Sequence, residues 1–357
     1  MNRIGILTFH EADNYGAVLQ ACGLKHACES LGFDVGIIDY SPKYISNQYR
    51  YFRITKCLRT NLLKLYNFYG NIQKKWKFNK FRKEYFDIIP YGRSELLAVL
   101  CGSDQIWNPN IAGEFDPVYF GKTTFKAGKI IAYAASIGIS VIEDSQRLQL
   151  KKLLANFDSI SVREKSMIPM LTGLTDREIV SVIDPTLLNT SEYWDTVAIP
   201  VKNLPNKYIF VYEVSRHLET MEKARYLGEK TGYPIIEVVY EKNRLWTAHR
   251  QRNNVGPAEF LTYIKNASYV VTSSFHGTAF SIIYKKDFYT VPHKKFPSRM
   301  RDLLEDVGLT ERLVSNMNRD DISRIDYGKV ESNIESLRDK ALDFIRRSIL
   351  GEKGTKI

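Results

Sequence analysis

The chain has 357 residues, of which 44% are hydrophobic and 25% charged, a composition that excludes a fibrous or largely disordered protein. This length is more than one compact core usually serves, so we expect two domains. No apolar run reaches about 18 residues, which excludes an ordinary transmembrane helix, and the start "MNRIGILTFH" is typical of a first strand rather than of a signal peptide.

The first part of the chain alternates short apolar runs with helical periods. It opens with a strand, a helix that ends at Gly32 and a second strand: "RIGILTF", "GAVLQACGLKHACESLG" and "DVGIIDY". This βαβ order implies a parallel sheet with a right-handed crossover. After an interruption the sheet resumes, with a helix near 143–156 between later strands. The predicted later strands lie within "ELLAVLCGSD", "KIIAYAAS", "DSISVRE" and "EIVSVIDPTLL".

Residues 43–93 interrupt the alternation and predict two inserted helices. They hold 13 lysines and arginines against two acidic residues, which accounts for the whole net charge of +11. Three interpretations are open: nucleic acid binding, a solvated surface, and docking on an anionic membrane. No nucleic-acid-binding motif accompanies the segment, whereas interleaved Tyr, Phe and Trp suit a membrane interface. We therefore favour the membrane and expect no nucleic acid partner.

A second alternation begins near Lys207, after a stretch with two prolines at 190–206 that we interpret as a linker. Its predicted strands are "KYIFVYEV", "PIIEVVY", "SYVVTSS" and "DFYTV", and its predicted helices are "HLETMEKARYLGEKTG", "PAEFLTYIKNA" and "GTAFSIIYK". A last helix is predicted at 327–350. We predict an α/β fold with two Rossmann-like domains at 1–190 and 207–326, followed by a C-terminal helix and tail at 327–357.

The cysteines do not suggest a metal centre. The four thiols, Cys22, Cys28, Cys57 and Cys101, form no CxxC pair, and His26 has no second ligand at metal spacing. We predict reduced thiols in a cytoplasmic protein, without a structural zinc site.

Five loops that follow predicted strands carry polar or charged groups. They are "HEADNYG" (10–16), "GSDQIWN" (102–108), "AASIG" (134–138), "SVRE" (161–164) and "SSFHGT" (273–278). Ligands of open parallel sheets bind outside the carboxyl ends of the strands. The cleft between two such domains is therefore the expected site.

The stretch "TSSFHGT" predicts an anion site at a helix start. Gly277 would let a phosphate or carboxylate approach backbone N–H groups. A small multiply charged anion also needs cationic side chains, for which Arg163 and Arg299 are the candidates. His276 would serve as a cation or a proton donor, and a core histidine bonded to backbone is the alternative.

The other loops carry weaker signals. Asp104, Gln105 and Asn108 in "GSDQIWN" suit recognition of sugar hydroxyls or general-base chemistry, or else hold the loop through backbone bonds. Glu164 either orients Arg163 or forms a surface ion pair with it. "HEADNYGA" lacks the GxGxxG pattern of dinucleotide sites.

Taken together, these loops resemble the polysaccharide pyruvyltransferase family. The matching stretches occur in the family's order: "IGILTFHEADNYGAVLQACGL", "VLCGSDQIWNP", "SVREKS", "VIDPTLL", "TSSFHGTAFSIIY" and "SRMRDLL". The resemblance implies a GT-B-like fold, with parallel sheets facing a central cleft. It also implies transfer of a pyruvyl group from phosphoenolpyruvate to sugar hydroxyls of a surface polysaccharide or its lipid-linked precursor. The product would be a pyruvate ketal, and phosphate would be released.

The resemblance also suggests roles for individual residues. His276 would be the acid or base near the donor, and Asp104 the acceptor-side base or hydroxyl ligand. Many relatives have an arginine where this chain has Ser274, which gives Arg163 and Arg299 more weight as anion ligands. The further donor contacts are Ser274, Gly277 and Thr278, and the acceptor contacts are His10, Asn14, Tyr15, Gln105 and Asn108.

No metal or cofactor is expected for this reaction, and the protein is expected to lie peripherally at the inner face of the membrane. Asn14 would cap the first helix in any case. Two other functions remain open. One is a nucleotide-sugar-dependent GT-B glycosyltransferase of polysaccharide synthesis, and the other is a non-catalytic assembly scaffold.

Overall fold

The computed structural model describes residues 2–48, 58–92, 95–123, 126–214, 216–240, 242, 250–292, 298–314 and 323–351. The chain divides into two compact units. Unit 1 comprises Met1–Gln48, Tyr85–Asn189 and Glu331–Ile357, and unit 2 comprises Tyr49–Glu84 and Thr190–Val330.

Unit 1 is built on one parallel sheet. Its strands are β1 (Arg3–Leu7), β2 (Asp34–Asp39), β3 (Ile88–Pro90), β4 (Glu95–Cys101), β5 (Lys126–Ala135), β6 (Ser159–Val162) and β7 (Ile179–Ser181). They lie in the order β3-β2-β1-β4-β5-β6-β7, so the strand order reverses between β1 and β4. Central strands such as β1 are apolar and buried after their first residue, here Arg3, because both faces of the sheet are covered. The reversal point is where open α/β sheets bind ligands.

Unit 2 repeats this plan with a smaller parallel sheet. Its strands are β8 (Ile209–Tyr212), β9 (Ile235–Val238), β10 (Arg250–Arg252), β11 (Tyr269–Thr272) and β12 (Asp287–Thr290). Their order is β10-β9-β8-β11-β12, with the reversal between β8 and β11. Ile209, Val211 and Val271 of this sheet are fully buried in one core cluster with residues of the helix after β8.

The helices fill the connections between these strands. They are α1 (Tyr15–Ser30), α2 (Lys43–Gln48), α3 (Leu58–Tyr85), α4 (Pro109–Ala112), α5 (Asp144–Leu154), α6 (Ile168–Leu171), α7 (Ser191–Val197), α8 (Leu218–Thr231), α9 (Pro257–Lys265), α10 (Phe275–Ile283), α11 (Ser298–Val307) and α12 (Tyr327–Leu350). The helix predicted near 143–156 is confirmed as α5. Among the described helices, none is both long and apolar enough to cross a membrane.

The predicted α/β class with two Rossmann-like units on parallel sheets is confirmed, and two such units make the chain GT-B-like. The assignment of the inserted helices differs from the prediction, however. α3 packs in unit 2, where Lys77 bonds to Glu259 and Asn67 bonds to the backbone N–H of Lys242. The predicted first helix is α2, and residues 49–57 of the insertion lie outside the described residues.

Two more segments differ from the prediction. Most of α12 belongs to unit 1, where Arg338 donates from Nε to the Leu187 carbonyl at 3.1 Å. The predicted linker 190–206 contains α7, which belongs to unit 2. It is ordered there because Trp194 is fully buried and packs edge-on against Phe280, with ring centroids 5.0 Å apart.

The thiols of Cys22, Cys28 and Cys101 are buried and unbridged. Burial is the main cause that raises the pKa of Cys28 and Cys101. Such thiols stay protonated and unreactive at neutral pH. Cys57 lies outside the described residues.

Candidate functional site

The loop after β4 is shaped by a glycine. Gly102 has φ 137°, and a Cβ at this position would overlap the carbonyl oxygen of Tyr133. Only glycine combines this conformation with so close a backbone approach. The next residues, Ser103 and Asp104, are thereby placed at the reversal point of the unit 1 sheet.

Hydrogen bonds from the first helix hold this loop. Gln20 of α1 accepts a bond at Oε1 from the Ser103 N–H (3.1 Å) and donates from Nε2 to Thr8 Oγ1 (2.8 Å). Thr8 in turn donates to the Ser103 carbonyl at 3.0 Å. The backbone carbonyl of Asp104 accepts bonds from Ile106 and Ser136. These bonds fix the backbone of the loop, so Asp104 is held in one position.

Arg163, directly after β6, lies among three carboxylates. Its Nη1 donates to Asp184 at 2.9 Å and its Nε to Glu164 at 3.2 Å, and its Nη2 is 3.7 Å from Asp104. Burial alone would lower the pKa of Arg163. The carboxylates of Glu164, Asp184 and Asp104 together raise it by more than burial lowers it, so the pKa of Arg163 lies above the ordinary value. Asp104 is the most exposed member, at 14% of its side chain.

This cluster does not support the predicted anion-binding role of Arg163. The guanidinium is 2% exposed, and three carboxylates surround one cation, so an incoming phosphate would meet net negative charge. The geometry assigns Arg163 to holding Asp104. Glu164 is the buried orienting partner of the two alternatives, because it accepts bonds from both Arg163 and Ser136.

Gln105 and Asn108 are engaged with each other. Asn108 donates from Nδ2 to Gln105 Oε1 at 2.8 Å and caps α4 by accepting the Asn110 N–H. Gly138 lies so close that a Cβ there would overlap Gln105 Oε1. These bonds fit the alternative in which the side chains of Gln105 and Asn108 hold the loop. Contact of these two amides with the acceptor remains a prediction.

The loop after β1 supplies three more predicted acceptor residues. Asn14 caps α1, with Oδ1 accepting the N–H of Gly16 at 2.9 Å. Tyr15 is buried, which favours a packing role. His10 is also buried, with Nε2 3.4 Å from Asp39 Oδ1 and Nδ1 3.3 Å from the Thr8 carbonyl.

One group among the described residues has the ligand chemistry of a metal site. His10, Glu11 and Asp39 each place a potential ligand atom within 4.8 Å of the others. Glu11 and Asp39 are exposed, and exposed carboxylates often lie this close without an ion. We assign no metal to this group.

In unit 2 the loop after β11 leads directly into α10. Ser274 is the N-cap, with Oγ accepting the Gly277 N–H at 3.3 Å. A Cβ at Gly277 would overlap Thr272 Oγ1, which itself accepts the Ser274 N–H. Glycine is required at 277 so that the helix can start close against β11. The Gly277 N–H therefore serves the cap, and its predicted contact with the donor is not supported.

His276 and Arg299 both lie near the ring of one phenylalanine, Phe275. The His276 ring packs edge-on against Phe275, with centroids 5.3 Å apart, and the Arg299 guanidinium is 5.6 Å from the centroid of the same ring. Arg299 is in the first turn of α11 and His276 in the first turn of α10. Helix N-termini carry partial positive charge, so this arrangement suits an anion.

Thr278 does not fit its predicted contact with the donor. Its side chain is fully buried, and its hydroxyl donates to Thr290 Oγ1 at 2.9 Å, with Met300 Sδ 3.7 Å away. The residue joins α10 to β12 and α11. We assign it a packing role in unit 2.

Sequence reasoning missed Asp184, Ser103 and Gln20. Asp184 caps a short 3-10 turn by accepting the Thr186 N–H at 3.0 Å, and its other oxygen binds Arg163. The Asp-Pro-Thr order in "VIDPTLL" is a cap signature that could have identified it. Nothing local identifies Gln20, since its partner is 83 residues away.

Comparison with known proteins gives one family. The sequence model described as polysaccharide pyruvyl transferase matches residues 14–295. Among curated protein sequences no significant match exists.

Solved structures with a similar course of the chain include nucleotide-sugar enzymes. For the UDP-GlcNAc 2-epimerase from Neisseria meningitidis bound to UDP-GlcNAc, the TM-score is 0.49 at 8% identity, covering 99% of this chain and 100% of that one. The Methanocaldococcus jannaschii UDP-GlcNAc 2-epimerase in complex with UDP-GlcNAc and UDP gives 0.41 at 14%, covering 95% and 99%. The Arabidopsis thaliana UGT89C1 complexed with quercetin gives 0.43 at 11%, covering 98% and 92%.

Proposed function

The chain belongs to the polysaccharide pyruvyl transferase family, and from this premise we propose that it transfers a pyruvyl group from phosphoenolpyruvate to a sugar acceptor. The acceptor would be a surface polysaccharide or its lipid-linked precursor. The product would be a cyclic ketal across two hydroxyls, with phosphate as the second product.

The reaction proceeds by addition and then displacement at carbon two. A proton adds to the methylene carbon, carbon three, and the oxygen of one sugar hydroxyl bonds to carbon two. The bond between carbon two and the phosphate oxygen then breaks, and a second hydroxyl bonds to carbon two. Two hydroxyl protons are released; one balances the proton taken up by carbon three, and the other leaves with the phosphate. No cofactor enters this balance.

The observation that carries the proposal is that His276 and Arg299 each lie near the ring of Phe275 at the start of α10. Arg299 and the helix N-terminus would bind the carboxylate or phosphate of the donor, with each charge-assisted bond worth about 1.5–3 kcal/mol. His276 would deliver the proton to carbon three. Acid–base groups of this kind contribute about 10²–10⁴-fold in rate, so electrostatic binding of the donor supplies much of the rest.

Arg299 would also supply the positive charge that is missing at Ser274, where many relatives have an arginine. In this chain the serine hydroxyl caps α10, so it brings no charge to the donor. Arg299 approaches the same first turn from α11 through its contact with Phe275. We assign the missing positive charge to Arg299 rather than to Arg163, whose charge is compensated by carboxylates.

Asp104 is the acceptor-side group of the proposal. It lies at the reversal point of the unit 1 sheet, and its carboxylate is partly exposed while Arg163 holds one side. A carboxylate held in this way can accept a proton from a sugar hydroxyl or orient it by a hydrogen bond.

The test is an assay of phosphate release from phosphoenolpyruvate with a lipid-linked oligosaccharide acceptor, run beside an assay of sugar-nucleotide turnover. We expect phosphate release that requires both donor and acceptor, and no turnover of sugar nucleotides. Turnover of a sugar nucleotide without consumption of phosphoenolpyruvate would favour the glycosyltransferase alternative. Binding of acceptor with neither turnover would favour the scaffold.

A further inference from the structure

α3 carries an exposed apolar stripe. Counting along the helix, the stripe residues are spaced i, i+4, i+7 and i+11, which places them on one face. They are Leu65, Tyr69, Ile72 and Trp76, and they are 71%, 71%, 49% and 62% exposed. Contiguous exposed apolar surface of this kind marks an interaction site.

The opposite face of α3 is fixed to unit 2, so the stripe cannot turn inward. Lys77 Nζ bonds both carboxylate oxygens of Glu259, at 2.6 and 2.7 Å, and the Asn254 carbonyl at 2.8 Å. Lys74 is fully buried with Nζ 3.7 Å from the centroid of the Tyr240 ring. These bonds hold the helix in one rotation about its axis, with the stripe facing outward.

Lysines border the stripe. Lys75, Lys80 and Lys83 are exposed on the outward side of the same helix, and Glu84 is the one acidic residue in the sequence of α3. We call Leu65, Tyr69, Ile72, Trp76, Lys75, Lys80 and Lys83 the α3 outer face. It combines an apolar stripe, two interfacial aromatic residues and a single sign of charge.

We propose that the α3 outer face docks this protein on the surface of an anionic membrane. Tyr and Trp prefer the boundary between headgroups and acyl chains, aliphatic side chains insert beside them, and lysines contact anionic headgroups. The helix lies in the plane of the surface and does not cross it. The inference does not depend on the chemistry of the proposed reaction.

The charge pattern argues against two other occupants. A second copy of the chain on the same face would bring lysines of like sign together, since a two-fold interface is self-complementary. Nucleic acid bases stack on aromatic rings, but Leu65 and Ile72 offer no stacking surface. An anionic lipid surface satisfies both the charges and the aliphatic side chains.

The test is flotation of the full chain with vesicles of phosphatidylcholine, with and without phosphatidylglycerol. The wild type is expected to float only with phosphatidylglycerol and to be released by salt. The basic variant Lys75→Gln/Lys80→Gln/Lys83→Gln should bind about a hundredfold more weakly, at about fivefold per lysine. The apolar variant Tyr69→Ser/Trp76→Ser should bind at least about a hundredfold more weakly, at about tenfold or more for each inserted aromatic ring.

A matched control is available on α5 of unit 1. The variant Leu148→Ser/Lys151→Gln/Lys152→Gln removes one exposed apolar side chain and two exposed lysines from that helix, and it should bind vesicles as the wild type does. Unfolding midpoints of all variants should match, because none of the changed side chains is buried.

Fluorescence gives an independent readout of insertion. Trp107 and Trp194 are fully buried, and Trp246 lies outside the described residues. In a Trp246→Phe background we therefore expect Trp76 to report the vesicles through a blue shift and quenching by brominated acyl chains. Trp76→Phe should lose this signal and still float. Three results would each overturn the proposal. The first is flotation that is unchanged in both the basic and the apolar variant. The second is a wild type that is a dimer in solution while the apolar variant is a monomer, and the third is binding of polyuridylate that the variants lose while they still float.

Discussion

Arg163 donates a 2.9 Å hydrogen bond from Nη1 to Oδ2 of Asp184, and both side chains are essentially inaccessible to solvent. The bond joins the loop after β6 to the turn that follows β7, two neighbouring strands of the sheet. Through the same guanidinium, Asp184 is connected to Asp104, the partly exposed carboxylate of the cluster. Asp104 is therefore positioned by an ion network built into the sheet edge.

Arg163→Met should destabilise the fold by about 3–5 kcal/mol, because it leaves buried carboxylates without their cation. Urea unfolding measures this loss. Arg163→Met/Asp184→Asn should recover part of it, because the double variant also removes one of the uncompensated buried charges. An Arg163→Met variant as stable as the wild type would contradict the network.

His276→Ala should lower the rate of phosphate release by about 10²–10⁴-fold, the usual contribution of an acid–base group. Ser281→Ala is the matched structural control on the same helix. It removes a buried hydroxyl that donates to the Gly277 carbonyl, at about 1 kcal/mol of stability, and should keep most of the turnover. Equal activity losses in the two variants, each scaling with the loss of stability, would show that His276 acts through the fold.

Arg299→Ala should raise the KM for phosphoenolpyruvate by roughly tenfold to a hundredfold, since one charge-assisted bond is worth about 1.5–3 kcal/mol. Arg301, exposed on the same helix, provides the control. Arg301→Ala removes an arginine from the same helix and leaves Arg299 beside Phe275, so this variant should keep the wild-type KM. Steady-state kinetics over a range of donor concentrations separates KM from kcat, and an unchanged KM would remove Arg299 from the donor site.

The sheets could be predicted from sequence because their strands are buried on both faces and form continuous apolar runs, as in β1 and β4. The place of α3 could not. Its buried face mixes polar Asn67, Asn71 and Lys74 with Phe78 and Phe81, and apolar side chains also lie exposed on the outer face. The apolar period therefore does not indicate the side that packs. Only the tertiary partners of these polar groups, such as Asn253 with Asn67, assign the helix to unit 2.

The candidate site, too, could be predicted from the sequence only in part. Asp104 and His276 could be selected because they follow strands and carry reactive groups. The carboxylates around Arg163 could not be counted from sequence, because Asp184 is 21 residues away and reaches it only through the pairing of β6 with β7. From the sequence, the charge of Arg163 suggested that it binds an anionic substrate, whereas the fold surrounds this side chain with carboxylates of the protein itself.

Gly102→Ala and Gly113→Ala form a matched pair of glycine substitutions. Both positions have positive φ, 137° and 89°, but a Cβ at Gly113 meets nothing within 4 Å, whereas one at Gly102 overlaps the Tyr133 carbonyl. Gly113→Ala should cost about 1–2 kcal/mol for its conformation alone. Gly102→Ala should cost at least about 2 kcal/mol more and displace Asp104. Chemical unfolding compares them, and equal losses would exclude the close approach.

Glu213→Gln should change the pH dependence of stability. Burial is the main cause that raises the pKa of Glu213 above 4.5, opposed by the bond from the His217 N–H. The unfolded chain therefore loses this proton first, and the fold loses stability as pH rises through the window above 4.5. Glutamine keeps an acceptor for His217 and cannot ionise. Relative to wild type, Glu213→Gln should gain stability between pH 4 and pH 7, as measured by urea unfolding, while the exposed Glu229→Gln should not.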